Sequence, residues 1–236
     1  MSEQTVLAGR TPDNKLYLVS SNEWNAPQTE LAYKWFIEKL ITYDDQNTPD
    51  MTVKTSRNIL HKKMIKNELL LADLGIVDFD VDEHGVNIYH QLNYDHGNNY
   101  SFILRLENES KGTQRFLARI GPWIDALEKG GVLFVDEIEA SMHPMLTRRL
   151  VDMMQNPGIN TNHAQLIFTT HDVMLLDLTL LRRDQIWFTD KDPKTLVSEL
   201  FSLWDFSVRK DENIRKGYLQ GRYGAIPFIG GDKTWR

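Results

Sequence analysis

Asp136 and Glu137 are adjacent carboxylates that close a run of four apolar residues, Val132-Leu133-Phe134-Val135, within GGVLFVDEIEASMHP (residues 130–144). A carboxylate at the carboxyl end of a buried parallel strand sits where α/β sheets place their ligands. One acid can hold Mg²⁺ directly or through water, while its neighbour points the other way and polarises an attacking water. Phosphoryl transfer needs little beyond such positioning and charge neutralisation. The plainer alternative is a strand that ends in a solvated acidic turn.

A second apolar run, within LIFTTHD (Leu166 to Asp172), ends in Thr169-Thr170 and His171, 34 residues beyond Glu137. If the two runs are parallel neighbours, His171 comes to the same sheet edge as the acids. There a neutral imidazole can bond a phosphate oxygen as well as a carboxylate or water. Taken alone, a histidine after a strand is more often structural. A third stretch, ENESKGTQRFL (Glu107 to Leu117), carries Ser110, Gly112 and Thr113 where a loop enters a helix. Exposed N–H groups, a small residue and hydroxyls there make an anion site. The same residues also suit an ordinary N-terminal cap.

The elements that must position these residues follow from periodicity. Pro27 to about Ile41 reads as a helix, TYDDQNTPDM as a loop, and Ser56 as the N-cap of a helix through Leu71 that Gly75 ends. IVDFDV, VNIYHQL and YSFILRL read as a three-stranded meander. Thr113–Glu128 is a helix with Phe116, Leu117, Ile120, Ile124 and Leu127 on one side, stopped by Gly130 and Gly131. Then come a strand at Val132–Val135, a helix at about Met145–Gln155, a strand at Gln165–Thr169, a short helix after His171, a strand at Gln185–Thr189 and a tail helix near Arg209–Tyr218. The alternation predicts an α/β fold whose parallel sheet is covered on both faces.

Composition narrows the class. With 236 residues, 25% charged and 41% apolar, the chain fits an ordinary globular protein able to bury a real core. No apolar run approaches ~20 residues and the amino terminus has no signal-like pattern, so no membrane span is expected and a cytoplasmic location is the default. The absence of cysteine excludes disulfides and thiolate metal sites. A net charge of −6 argues against a dedicated non-specific DNA binder. The local cluster Lys54, Arg57, His61, Lys62, Lys63 and Lys66 is either a solvated helix face or a nucleic-acid or partner contact.

Together, the three stretches resemble, in this order, the ABC-type ATPases of the SMC and RecF kind. Ser110-Lys111-Gly112-Thr113-Gln114 matches that family's signature, VLFVDE its Walker B strand, and ASMHP the D-loop region with His143-Pro144. The closer resemblance is to stand-alone bacterial AAA-family ATPases of the abortive-infection, phage-defence type, with a tail similar to RRDQIWFTDKD and GRYGAIP. It spans about Asn25 to Pro227. The resemblance implies a P-loop NTPase-like, ABC-type head over residues 1–236, with a helical insertion at 25–75, a meander and signature at 76–112, and a Walker B, D-loop and switch-histidine lobe at 113–236. It implies Asp136 as the Mg²⁺ ligand, Glu137 as the base and His171 as the γ-phosphate contact. Ser110, Gly112, Thr113, Gln114 and His143 are implied on ATP, partly across a dimer of heads whose closure an effector protein reads out.

The departure lies at the phosphates. Family members place a strand and a glycine-rich loop before residues 27–73, and that lobe is not recognisable here. No G-x-x-x-x-G-K-[ST] occurs in the chain. Residues 9–16 imitate it without the second glycine or the hydroxyl, and Gly230-Gly231-Asp232-Lys233-Thr234 fails for the same reasons. This chain alone is therefore expected to be inactive, with the loop supplied by a partner chain or upstream. Two other classes stay open: a catalytically silent regulatory module, and a RecF-like part of a nucleic-acid-processing complex. Weaker groupings are His84, His90 and His96 with Asp82, Glu83 and Asp95, which lack regular metal-ligand spacing, and six tryptophans that read as core or interface residues. No G-x-S-x-G nucleophile elbow is present.

Overall fold

Phe116, Leu117, Ile120, Ile124 and Leu127 recur at helical spacing, and all five are buried on one face of the helix Lys111–Lys129. Each fully buried large apolar side chain contributes about 1.5–3 kcal/mol, so this helix is the main beam of its unit. Gly130 ends it in the left-handed conformation, φ +59°, as predicted. A side chain there would also collide with the Asn162 carbonyl.

The computed structural model describes residues 11–12, 15–42, 48–72, 75–93, 99–209 and 212–226. The two loop-like imitations at 9–16 and 230–234 lie partly or wholly outside these residues, as do Asp95 and His96. In chain order the described elements are α1 (Tyr17–Glu23), α2 (Pro27–Lys39), β1 (Leu40–Thr42), α3 (Thr48–Ser56), α4 (Ile59–Leu71), β2 (Ile76–Asp82), β3 (Gly85–Asn93), β4 (Asn99–Arg105), α5 (Lys111–Lys129), β5 (Val132–Val135), α6 (Pro144–Gln155), β6 (Gln165–Phe168), β7 (Trp187–Lys191), β8 (Ser198–Ser202) and α7 (Ile214–Leu219). The chain divides after Thr170 into two units.

In the first unit β1, β5 and β6 form a parallel sheet in that order. Leu40 pairs with Val132, and Val135 pairs with Phe168. The expected helix to Ile41 stops at Lys39, because Leu40-Ile41-Thr42 goes into the sheet instead. Leu133 and Val135 are fully buried on one face. On the other, the paired Phe134 and Ile167 stay 45% and 48% exposed, which corrects the expectation of cover on both faces. The meander β2-β3-β4 is antiparallel, as predicted. At its hairpin the Arg105 guanidinium and Asn87 amide hold the Asp82 carboxyl well below the usual carboxylate range.

Residues 48–71, read as the end of a loop and one helix, form two helices, and residues 43–47 of that loop lie outside the described residues. Thr48-Pro49 opens α3, where proline suits a first turn. Ser56 is the last residue of α3 rather than a cap. Asn58 caps α4, its side chain accepting from the Leu60 amide at 2.9 Å. The close joint of this region is where α3 crosses α5. Pro122 has no N–H to give Ala118, so the Ala118 carbonyl loses its helical donor. The buried Thr52 hydroxyl lies 2.8 Å from the Leu117 carbonyl and 2.9 Å from that of Ala118, donating there, and accepts from the Gly121 amide at 3.2 Å. A Cβ on Gly121 would lie 2.4 Å from the Thr52 Cα, so only glycine fits.

Three of the six residues of the basic cluster meet acids within the fold. Lys62 meets Asp80 at 3.2 Å, Lys66 meets Asp78 at 2.8 Å, and His61 meets Glu128 at 3.0 Å. Arg149 of α6 grips Glu68 of α4 with two bonds of 2.7 and 2.8 Å. Of the described tryptophans only Trp123 is core, its indole N–H donating to the Leu150 carbonyl at 3.0 Å; the other four are at least 40% exposed.

The second unit carries the antiparallel hairpin β7-β8. Its strand begins at Trp187, not Gln185, because Arg183–Gln185 forms a 3₁₀ turn. β8 was not foreseen, and the tail helix is only Ile214–Leu219. Phe188 stacks on Tyr218 and Tyr223, and the Tyr223 hydroxyl donates to Glu212 at 2.9 Å. That bond, with help from the Arg209 amide and Arg222, holds the Glu212 carboxyl below its ordinary value. Among the described residues no helix is long and apolar enough to cross a membrane.

Candidate functional site

Asp136 and Glu137 leave the end of β5 exposed, as the pattern predicts. The backbone turns sharply there. Glu137 is left-handed, φ 47°, a conformation that costs a non-glycine residue on the order of 1 kcal/mol or more and needs support from its surroundings. That support comes from both sides. The Glu137 amide donates to the Thr169 hydroxyl at 2.9 Å. Its carbonyl accepts from the Ala140 amide at 2.9 Å and from the Arg119 guanidinium at 3.3 Å. Arg119 is wholly buried on α5 and also donates to the Ile138 carbonyl.

Thr169 reaches further. Its hydroxyl donates to the Asp136 carboxylate, so one oxygen atom bridges that carboxylate and the Glu137 backbone amide. Its backbone continues the β5–β6 pairing: the Thr169 amide donates to the Val135 carbonyl, and its carbonyl accepts from the Ile138 amide, both at 3.1 Å. Next along the chain, the Thr170 hydroxyl donates to Glu139 at 2.6 Å. Asp136, Glu137 and Glu139 thus share one turn, and the Arg119 guanidinium is bonded to its backbone. Among the described residues no three His, Asp or Glu side chains converge as a metal cage. A cation at Asp136 would then draw most ligands from water and phosphate, the habit of Mg²⁺.

The Ser110 stretch begins α5. Ser110 is its N-cap, with Oγ accepting from the Thr113 amide at 3.1 Å and lying 2.9 Å from the Thr113 hydroxyl. Gln114 turns back on the preceding turn and donates to the Glu107 and Glu109 carbonyls at 3.1 and 2.7 Å. The stretch is therefore an N-terminal cap at the start of a helix. Gly112 is different. A Cβ on it would lie 3.5 Å from the Ser141 carbonyl, ordinary contact, so the chain's own packing does not demand glycine. The same proximity places the start of α5 against the loop that follows the acids.

His143 caps α6, its Nδ1 accepting from the Met145 amide at 3.2 Å, and Pro144 opens the helix. His171 is the first residue of the second unit and is exposed; the neighbouring Asp172 caps a 3₁₀ turn by accepting from the Met174 amide at 2.8 Å. The histidine grouping does not form a metal site among the described residues. His90 is buried, with Nδ1 3.1 Å from the Gly75 carbonyl and Nε2 2.6 Å from Glu109, while His84 is exposed beside Glu83. Sequence reasoning missed Thr169 and Arg119. The register that pairs Val135 with Phe168 would have put Thr169 beside Asp136. A lone arginine on the apolar face of α5 was the corresponding sign for Arg119.

No curated protein matches the chain. A family model does, over residues 31–177, a span that holds the parallel sheet, the Ser110 stretch, the acidic turn and His171. Covering more than half of the chain, this match shows that the protein belongs to the family described as "AAA domain, putative AbiEii toxin, Type IV TA system".

Proposed function

We propose that this chain is an ABC-type ATPase head region of an abortive-infection or toxin–antitoxin system, one that binds and hydrolyses ATP once a phosphate-cradling loop completes its site. What supports the reading most is a single juxtaposition: two acids at the end of a parallel strand, with their turn braced by the helix that Ser110 starts. In this reading Asp136 would hold Mg²⁺, which would supply charge neutralisation for the phosphates. Glu137, fixed by its backbone on both sides, takes a proton from the attacking water. His171 steadies the γ-phosphate. Ser110, Gly112, Thr113 and Gln114 present the start of α5 to nucleotide held by a second head, and His143 orders the loop between. The second head is another copy or a P-loop-bearing partner, and an effector protein reads its closure. Gly112 fits this role, since close approach from outside explains a glycine that the fold itself does not need.

The lack of a G-x-x-x-x-G-K-[ST] pattern in these residues favours a second reading, a regulatory head that is silent by itself. The nucleic-acid reading loses ground, because Lys62 and Lys66 of the basic cluster are ion-paired within the fold and His61 is bonded to Glu128. Isothermal titration with Mg²⁺-ATP separates the cases. The chain alone is expected to give no heat. Mixed with a P-loop-bearing member of the family it is expected to bind, with Asp136→Asn weakening the affinity about tenfold or more. Tight binding by the chain alone would contradict the missing-loop reading, and binding indifferent to Asp136→Asn would contradict the ATPase reading.

A further inference from the structure

We propose that Thr169 is a positioning residue that relays the charge state of Asp136 to the backbone of Glu137. The observation is one atom with two bonds: Thr169 Oγ1 accepts from the Glu137 amide at 2.9 Å and donates to the Asp136 carboxylate. A hydroxyl has one proton and can do both at once, so the chain runs from Glu137 N–H through the Thr169 O–H to Asp136 Oδ1. Hydrogen bonds to a charged acceptor are about twice as strong as neutral ones, and linked bonds polarise one another. An ionised Asp136 therefore tightens the grip of Thr169 on Glu137. Neutralising that carboxylate, as a bound cation does, loosens it.

Geometry makes the relay matter. Glu137 is left-handed at φ 47° and relies on its neighbours to stay so. Arg119 and Ala140 hold the carbonyl side, whereas the bond to Thr169 holds the amide side. Cation occupancy at Asp136 would then weaken one of the bonds that keep the adjacent acid in its turn. Thr169 itself is anchored by the β5–β6 pairing, through its amide to Val135 and its carbonyl to Ile138, so its hydroxyl is held in register with both acids. The relay rests on reading Asp136 as the cation holder, but its test needs neither cation nor nucleotide.

The test is amide exchange at Glu137, followed by NMR on the ligand-free 236-residue chain. Thr169→Val is expected to speed that exchange roughly three- to tenfold, the loss of one hydrogen bond, and Thr169→Ser to restore it to within about twofold. Asp136→Asn, which removes the charge and keeps the shape, is expected to speed it roughly two- to fivefold with Thr169 present and to add nothing in the Thr169→Val background. Far-UV circular dichroism checks that each variant folds, and the serine variant keeps the proposal testable if the valine one does not. Equal exchange in wild type and Thr169→Val, or an Asp136→Asn effect of the same size with and without the hydroxyl, overturns the relay. Either failure leaves the ATP reading standing on its own titration.

Discussion

Thr52 and Thr169 use the same hydroxyl in the same double role, in opposite surroundings. Each accepts from a backbone amide and donates to an oxygen that needs a partner. Thr52 is buried at the crossing of α3 and α5, where it repairs the helical bond that Pro122 removes. Thr169 stands beside an exposed turn, where it joins two carboxylate residues. A buried bridge has no water to replace it, so its loss is felt as stability. A bridge beside solvent is replaced by water at small cost, so its loss is felt as position. The contrast separates the joint that keeps the first unit folded from the turn that its chemistry would use.

The contrast is broken most easily at Gly121. Gly121→Ala drives a Cβ into the Thr52 backbone and is expected to cost about 3 kcal/mol, read as a lowered urea midpoint. Thr52→Val keeps the shape and removes the hydroxyl's bonds to the Gly121 amide and the Ala118 carbonyl. It is expected to cost roughly 1–3 kcal/mol in the same measurement. Thr169→Val, the same substitution at the exposed bridge, is expected to shift stability by less than about 1 kcal/mol. An equal loss at Thr52 and Thr169 would erase the distinction. The smallest effect is at Gly112, where the fold has room for a methyl group. Gly112→Ala is expected to raise stability by up to about 0.5–1 kcal/mol while abolishing Mg²⁺-ATP-dependent association with a P-loop-bearing head, measured by light scattering.

What could be read in the sequence divides along similar lines. α5, β5, α6 and β6 have strong local patterns and end within about two residues of expectation, and the meander strands likewise. β1 escaped because three residues become a strand only by pairing with Val132–Phe134, some 90 residues away. The exposure of Phe134 and Ile167 escaped for a related reason: a continuous apolar strand does not say whether a second layer covers it. The acids and Ser110 were legible because their types and spacing are local. The Thr52–Gly121 joint and the Arg119 and Thr169 contacts were not, since each joins residues 18 to 69 positions apart through packing that no short window contains. Even the cap of α4 turned on a two-residue choice between Ser56 and Asn58, both good capping types.

The most direct test of the account is ATP turnover by the chain mixed with a P-loop-bearing family member, comparing wild type with Glu137→Gln. A positioned general base is worth on the order of 10²–10⁴ in rate. A loss of that size is expected, with Mg²⁺-ATP binding retained. Turnover unchanged by Glu137→Gln would contradict it, and would leave the two acids at the end of β5 as no more than a solvated turn.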